Sequence, residues 1–319
     1  MSQNYQHTLT ECALHGIVPP VVTPLRGTGE LDHSGLERLV ESMLVGGVHA
    51  LFLLGTTGEG PALSYELRRS VVEQVCNQVK GRVPVLVGIS DTSYGESLRM
   101  AEIAARAGAS AVVAAAPYYF MLHQEDLCRL IGSWARDLPL PTYLYNFPAL
   151  TKIWFEPDTV AYAMELPSIC GIKDSSGDLE YLARLLAMRQ KRPNFSILVG
   201  QDHLLGEALE MGADGGVPGG ANLFPRLTTR LYESFKAGDI GTMKKLQAEI
   251  IRLGDPIFHA DEASSSYVAR LKCALAFCGL CSDLPAWPVR QLTEAEAEQI
   301  RLHLQRNGLL ASKAMYGGV

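Results

Sequence analysis

Short apolar runs recur along the chain at regular intervals. Each run is nearly continuous in apolar residues and is rich in valine, isoleucine and leucine. Such runs are typical of strands that are buried on both faces of a parallel sheet. The eight predicted strands are 17–24, 50–55, 84–89, 111–116, 142–145, 169–173, 195–200 and 215–218.

Amphipathic segments typical of helices lie between these runs. In one of them, the side chains of Leu36, Leu39, Val40 and Met43 recur at helical spacing and would share one face. Similar patterns predict helices at 34–45, 64–79, 96–107 and 124–136. Residues that favour helix N-caps accompany these segments, namely Asp32, Ser34, Ser64 and Ser93.

The alternation of strand and helix, eight times over, predicts the fold class. It indicates an α/β fold of the (β/α)8 type, the TIM barrel. A doubly wound open sheet is the alternative. That fold usually carries a glycine-rich nucleotide-binding loop after its first strand, and residues 23–29 do not form one. We therefore expect the barrel.

The pattern changes near residue 239. Residues 239–310 contain no further strand pattern and predict about three helices, at 242–253, 264–277 and 294–305, with Thr293 as the N-cap of the last. We expect a C-terminal helical region to follow the barrel. The predicted division is an N-terminal arm at 1–16, the barrel at 17–238, a three-helix region at 239–310 and a tail at 311–319.

The composition argues against several classes of protein. The 319 residues are 47% hydrophobic and 19% charged, which is enough apolar material for a sizeable core. A net charge of -6, with no basic block, argues against a nucleic-acid partner. No apolar run approaches the roughly 18 residues of a membrane span. Residues 1–16 lack the pattern of a secretory signal. We therefore expect a cytoplasmic location.

The cysteines do not suggest a metal site. Seven are present, and the one cluster, formed by Cys273, Cys278 and Cys281, has neither a second cysteine pair nor histidines nearby in sequence. Its surroundings are apolar and read as a buried helix and its end. The preferred interpretation is that the cysteines are buried, free thiols in a reducing compartment.

One lysine is placed where chemistry is expected. Lys173 ends the sixth apolar run, and a small, polar turn that includes Gly177 follows it. Active sites of barrels lie at the carboxyl ends of the strands. A lysine in an apolar site loses some of its charged form, and the neutral amine can attack a ketone to form a Schiff base. A solvated strand end is the alternative reading.

A glycine-rich turn follows the second predicted strand. Gly55, Thr56, Thr57 and Gly58 would allow backbone N–H groups to converge on an anion such as a carboxylate. A glycine-rich turn with threonines as local caps is the alternative. No Gly-Lys-Ser/Thr sequence follows, so the turn is not a P-loop.

Other strand ends carry phenols, polar residues or glycines. Tyr118 and Tyr119 follow the fourth run, and Tyr145 ends the fifth. Phenols near a Schiff-base lysine can relay protons, although a tyrosine at a strand end is often simply half-buried core. The seventh and eighth runs lead into 200–203 and 218–222. The second of these is rich in glycine and open to close approach by a ligand.

Four of these motifs, taken in order, resemble a known family. Residues 55–59, 117–119, 145–148 and 171–173 are similar to the corresponding motifs of the dihydrodipicolinate synthase / N-acetylneuraminate lyase family, and the likeness runs from about residue 16 to 310. The resemblance implies class I aldolases and related lyases on a (β/α)8 barrel with a C-terminal helical region. It also implies homotetramers built from dimers, with no metal or organic cofactor.

The resemblance implies a role for each matching residue. Lys173 would form the Schiff base with C2 of pyruvate or another 2-oxo acid, and Tyr145 would move protons to and from that adduct. Thr56 and Thr57 would bind the pyruvyl carboxylate. Tyr119 would reach across the dimer interface and complete a proton relay in the neighbour's site.

The sequence departs from two branches of the family. Dihydrodipicolinate synthases carry an arginine two residues after the proline matched by Pro148, and this chain has Leu150 there. Leucine cannot make the charge-assisted hydrogen bond to a carboxylate, which disfavours that activity. The 148–150 segment resembles the sialic acid lyases instead. Those enzymes, however, have an acidic residue at the position of His203 and a serine at that of Gly219.

We therefore expect an aldolase that joins or separates pyruvate and an aldehyde. The preferred substrate is a 2-keto-3-deoxy sugar acid or 4-hydroxy-2-oxoglutarate. Candidates for substrate contacts, besides the threonine turn with Gly55, are Ser175, Gly200, Asp202, His203 and Gly219. A 2-oxo acid dehydratase, a catalytically inactive binding barrel and a metal-dependent aldolase are the alternatives. Dispersed histidines count against the last of these.

Overall fold

Eight parallel strands form the sheet at the centre of the molecule. The computed structural model describes residues 13–27, 29–258 and 266–310. The strands are β1 Gly16–Ile17, β2 Leu51–Leu53, β3 Val85–Gly88, β4 Ala111–Ala115, β5 Thr142–Asn146, β6 Ile169–Asp174, β7 Ser196–Val199 and β8 Gly215–Gly216. Their order is β1-β8-β7-β6-β5-β4-β3-β2, each paired in parallel. A parallel bridge between Pro20 and Phe52 joins the chain after β1 to β2 and closes the ring.

One or two helices follow each strand. They are α1 His33–Val45, α2 Tyr65–Val79, α3 Tyr94–Ala107, α4 Gln124–Asp137, α5 Pro148–Thr151, α6 Pro157–Met164, α7 Leu179–Met188, α8 Leu205–Met211 and α9 Pro225–Lys236. The connection between β5 and β6 contains two helices rather than one. The predicted (β/α)8 barrel is confirmed.

The first predicted strand is much shorter than its apolar run. Of residues 17–24, only Ile17 lies in β1, and the rest of the run continues outside a regular strand. Pro19, Pro20 and Pro24 interrupt the run. Proline has no backbone N–H and cannot donate to a sheet ladder, which explains the short strand.

Three of the four predicted N-caps are confirmed. Asp32, Ser64 and Ser93 each accept a hydrogen bond from the backbone N–H three residues on, at 3.1, 3.2 and 3.4 Å. The prediction for Ser34 is wrong, because this residue lies inside α1. Its hydroxyl instead donates to the carboxylate of Asp32, which occupies the capping position.

Three more helices follow the barrel: α10 Ile240–Phe258, α11 Ser266–Phe277 and α12 Glu294–Arg306. Thr293 caps α12 and forms a capping box with Glu296, as the sequence predicts. The helix α10 runs five residues beyond its predicted end. The predicted start of the second helix at 264–265, most of the N-terminal arm and the tail 311–319 lie outside the described residues. The division of the chain into arm, barrel, helical region and tail stays a prediction.

Side chains of the strands alternate between two apolar clusters. Leu51 and Leu53 of β2 belong to the larger cluster, which also contains the buried faces of the helices. Phe52, between them, belongs to a smaller cluster with Val113 and Tyr143. Because successive side chains of a strand point to opposite faces, the smaller cluster fills the interior of the ring. A filled interior leaves the carboxyl edge of the strands as the place for a ligand.

The buried or partly buried cysteines that are free thiols include Cys76, Cys128, Cys273 and Cys281. Cys170 is disulfide-bonded, so the prediction of free thiols is wrong for this residue. A disulfide requires two cysteines within a narrow range of distances, and tertiary structure alone brings them together. Cys12 lies outside the described residues.

The described helices include none that is both long enough and apolar enough to cross a membrane.

Candidate active site

Lys173 lies near the carboxyl end of β6, and the neighbouring strand places an aromatic ring beside it. In the β5–β6 ladder, Lys173 is directly opposite Tyr145. Its Nζ atom lies 3.7 Å from the centre of the Tyr145 ring and donates a hydrogen bond of 3.1 Å to Ser175 Oγ. Only 6% of Lys173 is exposed. The amine is therefore held in a largely water-free, aromatic setting.

Burial lowers the pKa of Lys173 to about 7, although the negative charges of Asp174 and Asp202 act in the opposite direction. Removing an ammonium group from water disfavours its charged form. A substantial fraction of the Lys173 side chain is therefore a neutral amine near neutral pH. A neutral amine is the form that attacks a carbonyl carbon.

The Tyr145 hydroxyl reaches the threonine turn. It lies 3.1 Å from Thr56 Oγ1, within hydrogen-bonding distance. Burial raises the pKa of Tyr145 to about 12, although hydrogen bonds with Thr56 and Ser175 act in the opposite direction. The phenol thus keeps its proton at neutral pH and can donate it to a group bound at Lys173.

The turn that carries the two threonines has an unusual backbone. Leu54 and Glu59, which flank it, have φ angles of 58° and 55°. This left-handed region is disfavoured for residues with a side chain, so tertiary contacts must stabilise it. At Gly58 an added Cβ would lie 2.8 Å from Val21 O, too close for any larger residue. The turn directs Thr56 towards Tyr145, while Thr57 Oγ1 lies 3.0 Å from the Tyr267 hydroxyl.

A pocket of about 200 Å³ opens above Lys173. Eight of the residues predicted for the site line it: Thr57, Tyr145, Lys173, Ser175, Gly200, Asp202, His203 and Gly219. Gly55 and Thr56 line an adjoining pocket of about 190 Å³, which shares Tyr145 with the first. The sequence therefore predicted most of a group that the fold brings together.

Gly200 has a geometric reason to be glycine. A Cβ atom added there would lie 2.0 Å from Ser175 Oγ. Ser175 could not then remain where it accepts the hydrogen bond from Lys173. Gly200 thus preserves the immediate surroundings of the amine.

Tyr119 is the predicted site residue that lies apart from the others. Its side chain is 76% exposed and lines neither of the two pockets. Phe120 and Met121, which follow it, are 68% and 75% exposed. Within one chain, this segment forms an exposed apolar surface rather than part of the site.

The structure adds residues that sequence reasoning missed. Asn146 donates a hydrogen bond of 2.8 Å to Asp174 Oδ1 and accepts one of 3.1 Å from Phe155 N. Burial raises the pKa of Asp174, although hydrogen bonds from Asn146 and Ser176 favour its charged form. Asn146 and Asp174 follow Tyr145 and Lys173 on β5 and β6 and hold the two strand ends together. The available signal was that Asn146 lies inside the 145–148 motif and that Asp174 directly follows the 171–173 motif.

The C-terminal helices form one wall of the Lys173 pocket. Ile250, Ile251, Gly254 and Phe258 of α10 line it together with Tyr267 of α11. The rings of Phe258 and Tyr267 are 5.8 Å apart. No local sequence pattern indicates that these residues belong to the site, because the other residues that line the pocket lie far away in sequence.

The charges in the pocket are unevenly distributed. Among the described residues that line it, Lys173 is the only lysine or arginine. Asp202 contributes a carboxylate, which accepts a hydrogen bond of 2.9 Å from Gly220 N. No cluster of three metal-binding side chains occurs within residues 13–27, 29–258 and 266–310.

The lowered pKa of Lys173 can be measured directly. We expect a small amine-directed acylating reagent to label Lys173 with a pH midpoint near 7, because burial sets its pKa to about 7. Brief labelling from about pH 5 to 11, followed by peptide mass spectrometry, gives the midpoint. A lysine peptide, with a pKa of about 10.4, serves as the control. A Lys173 midpoint equal to that of the peptide would contradict the expected effect of burial.

Comparisons with known proteins give a consistent result. The model of the Dihydrodipicolinate synthetase family matches residues 13–307. A 4-hydroxy-tetrahydrodipicolinate synthase of Methanopyrus kandleri is 33% identical over 93% of this chain and 97% of the relative. The probable 2-dehydro-3-deoxy-D-pentonate aldolase YjhH of Escherichia coli is 32% identical over 92% of this chain and 98% of the relative.

Solved structures agree with these matches. A dihydrodipicolinate synthase from Bacteroides thetaiotaomicron has a TM-score of 0.88 and 44% identity, over 92% of this chain and 98% of the other. YagE of E. coli, solved in complex with pyruvate, has a TM-score of 0.87 and 30% identity, over 93% and 99%. The chain belongs to the dihydrodipicolinate synthetase family and is a class I aldolase or lyase.

Proposed function

We propose that this enzyme is a pyruvate-dependent aldolase in which Lys173 forms the Schiff base. The proposed substrate is a 2-keto-3-deoxy sugar acid, which the enzyme cleaves to, or assembles from, pyruvate and an uncharged hydroxyaldehyde. The observation that carries the proposal is the buried Lys173 amine, with a pKa of about 7, beside the Tyr145 phenol.

The proposed reaction begins when the neutral Lys173 amine attacks C2 of the 2-oxo acid. Loss of water from the resulting carbinolamine gives an iminium ion. Cleavage of the C3–C4 bond then sends its electron pair into the iminium. The C4 hydroxyl loses its proton at the same time, and the fragment that begins at C4 leaves as an aldehyde. The enamine that remains is protonated at C3, and water releases pyruvate and the free amine.

The neighbouring hydroxyl groups have proposed roles in this sequence. Tyr145, within hydrogen-bonding distance of Thr56, would move protons to and from the adduct. Thr56 and Thr57 would bind the carboxylate of the 2-oxo acid through their hydroxyl and backbone groups. Two relatives support pyruvate as the donor: YagE was solved with pyruvate, and YjhH is named an aldolase for a 2-dehydro-3-deoxy acid.

The pocket supports an uncharged acceptor. Glyoxylate, the aldehyde in 4-hydroxy-2-oxoglutarate, and aspartate semialdehyde each carry a carboxylate. A buried carboxylate is most strongly stabilised by a charge-assisted hydrogen bond from a cationic partner. The described lining offers no lysine or arginine other than Lys173 and includes Asp202. The polar side chains of Gln201 and His203 suit the hydroxyl groups of a sugar-derived aldehyde.

Tyr119 is proposed to act in a neighbouring subunit. Tyr118, the residue before Tyr119, lines the pocket beside Thr56 and Tyr145. An exposed run of apolar side chains next to an open pocket suits an interface between copies of the chain. A partner's phenol inserted there would extend the Thr56–Tyr145 hydrogen bond. The homotetramer and the cytoplasmic location stay predictions.

Borohydride reduction tests the Schiff base. We expect reduction in the presence of pyruvate to leave a pyruvyl adduct on the Lys173 peptide, because the trapped iminium becomes a stable amine. Lys173→Ala should show no adduct and no turnover while remaining folded, and Lys236→Ala, at an exposed lysine, should behave as wild type. Intact and peptide mass spectrometry provide the readout. Folded wild-type protein without an adduct would refute pyruvate as the donor.

Tyr145→Phe tests the proton transfer. We expect turnover to fall by about 10²–10⁴-fold, because the phenol supplies general acid–base catalysis. The pyruvate concentration that half-saturates trapping should change by less than about tenfold, since only one neutral hydrogen-bonding group is lost. Tyr143→Phe is the matched control, because Tyr143 lies two residues earlier on β5 and points into the barrel interior. Equal losses in turnover and pyruvate binding would argue against the relay.

Competing aldehydes test the acceptor. We expect kcat/KM for uncharged hydroxyaldehydes, measured with pyruvate, to exceed that for glyoxylate by at least about tenfold, because the described lining offers the glyoxylate carboxylate no cationic partner besides Lys173. Lys173→Ala provides the blank for uncatalysed condensation. A preference for glyoxylate or aspartate semialdehyde would reject the acceptor class. Loss of water from a deoxy sugar acid without release of pyruvate would instead identify a dehydratase.

A further inference from the structure

The helix α11 contacts the threonine turn through a hydroxyl pair. Tyr267, at the start of this helix, places its hydroxyl 3.0 Å from Thr57 Oγ1. The Tyr267 ring also lines the Lys173 pocket. A residue of the C-terminal region thus reaches one of the two threonines proposed to bind the substrate carboxylate.

A buried ion pair joins the same helix to the same turn. The ammonium group of Lys272 on α11 contacts the carboxylate of Glu59, and the two residues are 0% and 6% exposed. Lys272 also donates to Leu284 O at 2.9 Å, while Glu59 Oε1 accepts from Ala286 N at 2.7 Å. A charge pair removed from water holds its geometry closely, because separation would leave either charge uncompensated.

These two contacts restrict the turn at separate points. Glu59 has a left-handed backbone, which the ion pair and the bond from Ala286 help to maintain. Thr57 lies two residues earlier in the chain. With the turn fixed by Glu59, the Tyr267 contact is left to set the direction of the Thr57 hydroxyl.

The direction of that hydroxyl proton matters for binding an anion. A threonine hydroxyl has one proton to donate and lone pairs to accept. Burial raises the pKa of Tyr267, so its phenol remains protonated and can serve as the donor. If Tyr267 donates to Thr57 Oγ1, the proton of Thr57 is left available for a carboxylate in the pocket. The opposite arrangement would present only lone pairs to that carboxylate.

We propose that Tyr267 is a positioning residue, which orients the Thr57 hydroxyl so that it donates to the carboxylate of the 2-oxo acid. The inference rests on the proposed function, in which Thr57 binds that carboxylate. It gives the C-terminal helical region a part in substrate recognition: α11 holds the turn through Lys272 and orients its hydroxyl through Tyr267.

Tyr267→Phe tests the proposal, because it removes the hydroxyl and keeps the ring. We expect the pyruvate concentration that half-saturates borohydride trapping at Lys173 to rise by up to about tenfold. A Thr57 hydroxyl that is no longer oriented by Tyr267 donates less often to the carboxylate, and complete loss of that hydrogen bond to a charged group costs about this much. Turnover at saturating pyruvate should change by less than about threefold, since Tyr267 does not touch the reacting atoms. Tyr181→Phe is the matched control: its buried hydroxyl donates to Phe155 O, and it lines neither pocket described above.

A double-mutant cycle separates this role from general support of the fold. In a Thr57→Val background, the hydroxyl that Tyr267 orients is absent. Tyr267→Phe should then have no further effect on half-saturation, so that the two substitutions are non-additive. Independent, additive losses would overturn the proposal, as would a loss of trapping capacity and thermal stability without any change in half-saturation.

The outcomes also distinguish this proposal from the proposed function. An adduct on wild-type Lys173, with unchanged half-saturation in Tyr267→Phe, would overturn the role of Tyr267 and leave the Schiff-base mechanism standing. A folded wild-type protein that forms no adduct would overturn both. A rise in half-saturation in Tyr267→Phe, absent in Tyr181→Phe and abolished in the Thr57→Val background, would support the positioning role.

Discussion

Desolvation of a single amine is the constraint on which the site depends. Lys173 is held among the Tyr145 ring, Ser175 and the filled barrel interior, and burial brings its pKa to about 7. Water in this space would restore the charged form, which is not a nucleophile. The β5–β6 register places the phenol opposite the amine, and the Asn146–Asp174 hydrogen bond joins the strands one residue further on. The barrel thus supplies both the dry setting and the phenol that we propose transfers protons.

The segments that form the site around that amine are held in place in different ways. The strand ends are fixed by the sheet ladder, whereas the threonine turn has a disfavoured backbone at both of its ends. Contacts from α11 and from the chain near Ala286 stabilise this turn. The helices after the barrel therefore serve two purposes: they cover the pocket with apolar side chains and hold the turn that faces it.

Sequence patterns predicted the barrel well because each of its strands and helices has a characteristic pattern of apolar residues within its own segment. A strand buried on both faces must be apolar, and the helices between strands must show an apolar face. Prediction failed where a competing local or tertiary effect intervened. Prolines limit the first strand to two residues, and Asp32 rather than Ser34 is the N-cap of α1. Cys170 is disulfide-bonded, which the spacing of the cysteines did not predict.

For the site, the sequence by itself determined which chemical groups stand at the strand ends: the amine of Lys173, the phenol of Tyr145 and the hydroxyls of Thr56 and Thr57. Their order along the chain was enough to indicate the family. Tertiary structure alone decided the pKa of the amine, since burial is a property of the packed neighbourhood. It also decided that Tyr267 meets Thr57 across 210 residues. Contacts of that span leave no periodic trace in a sequence, because folding rather than spacing creates them.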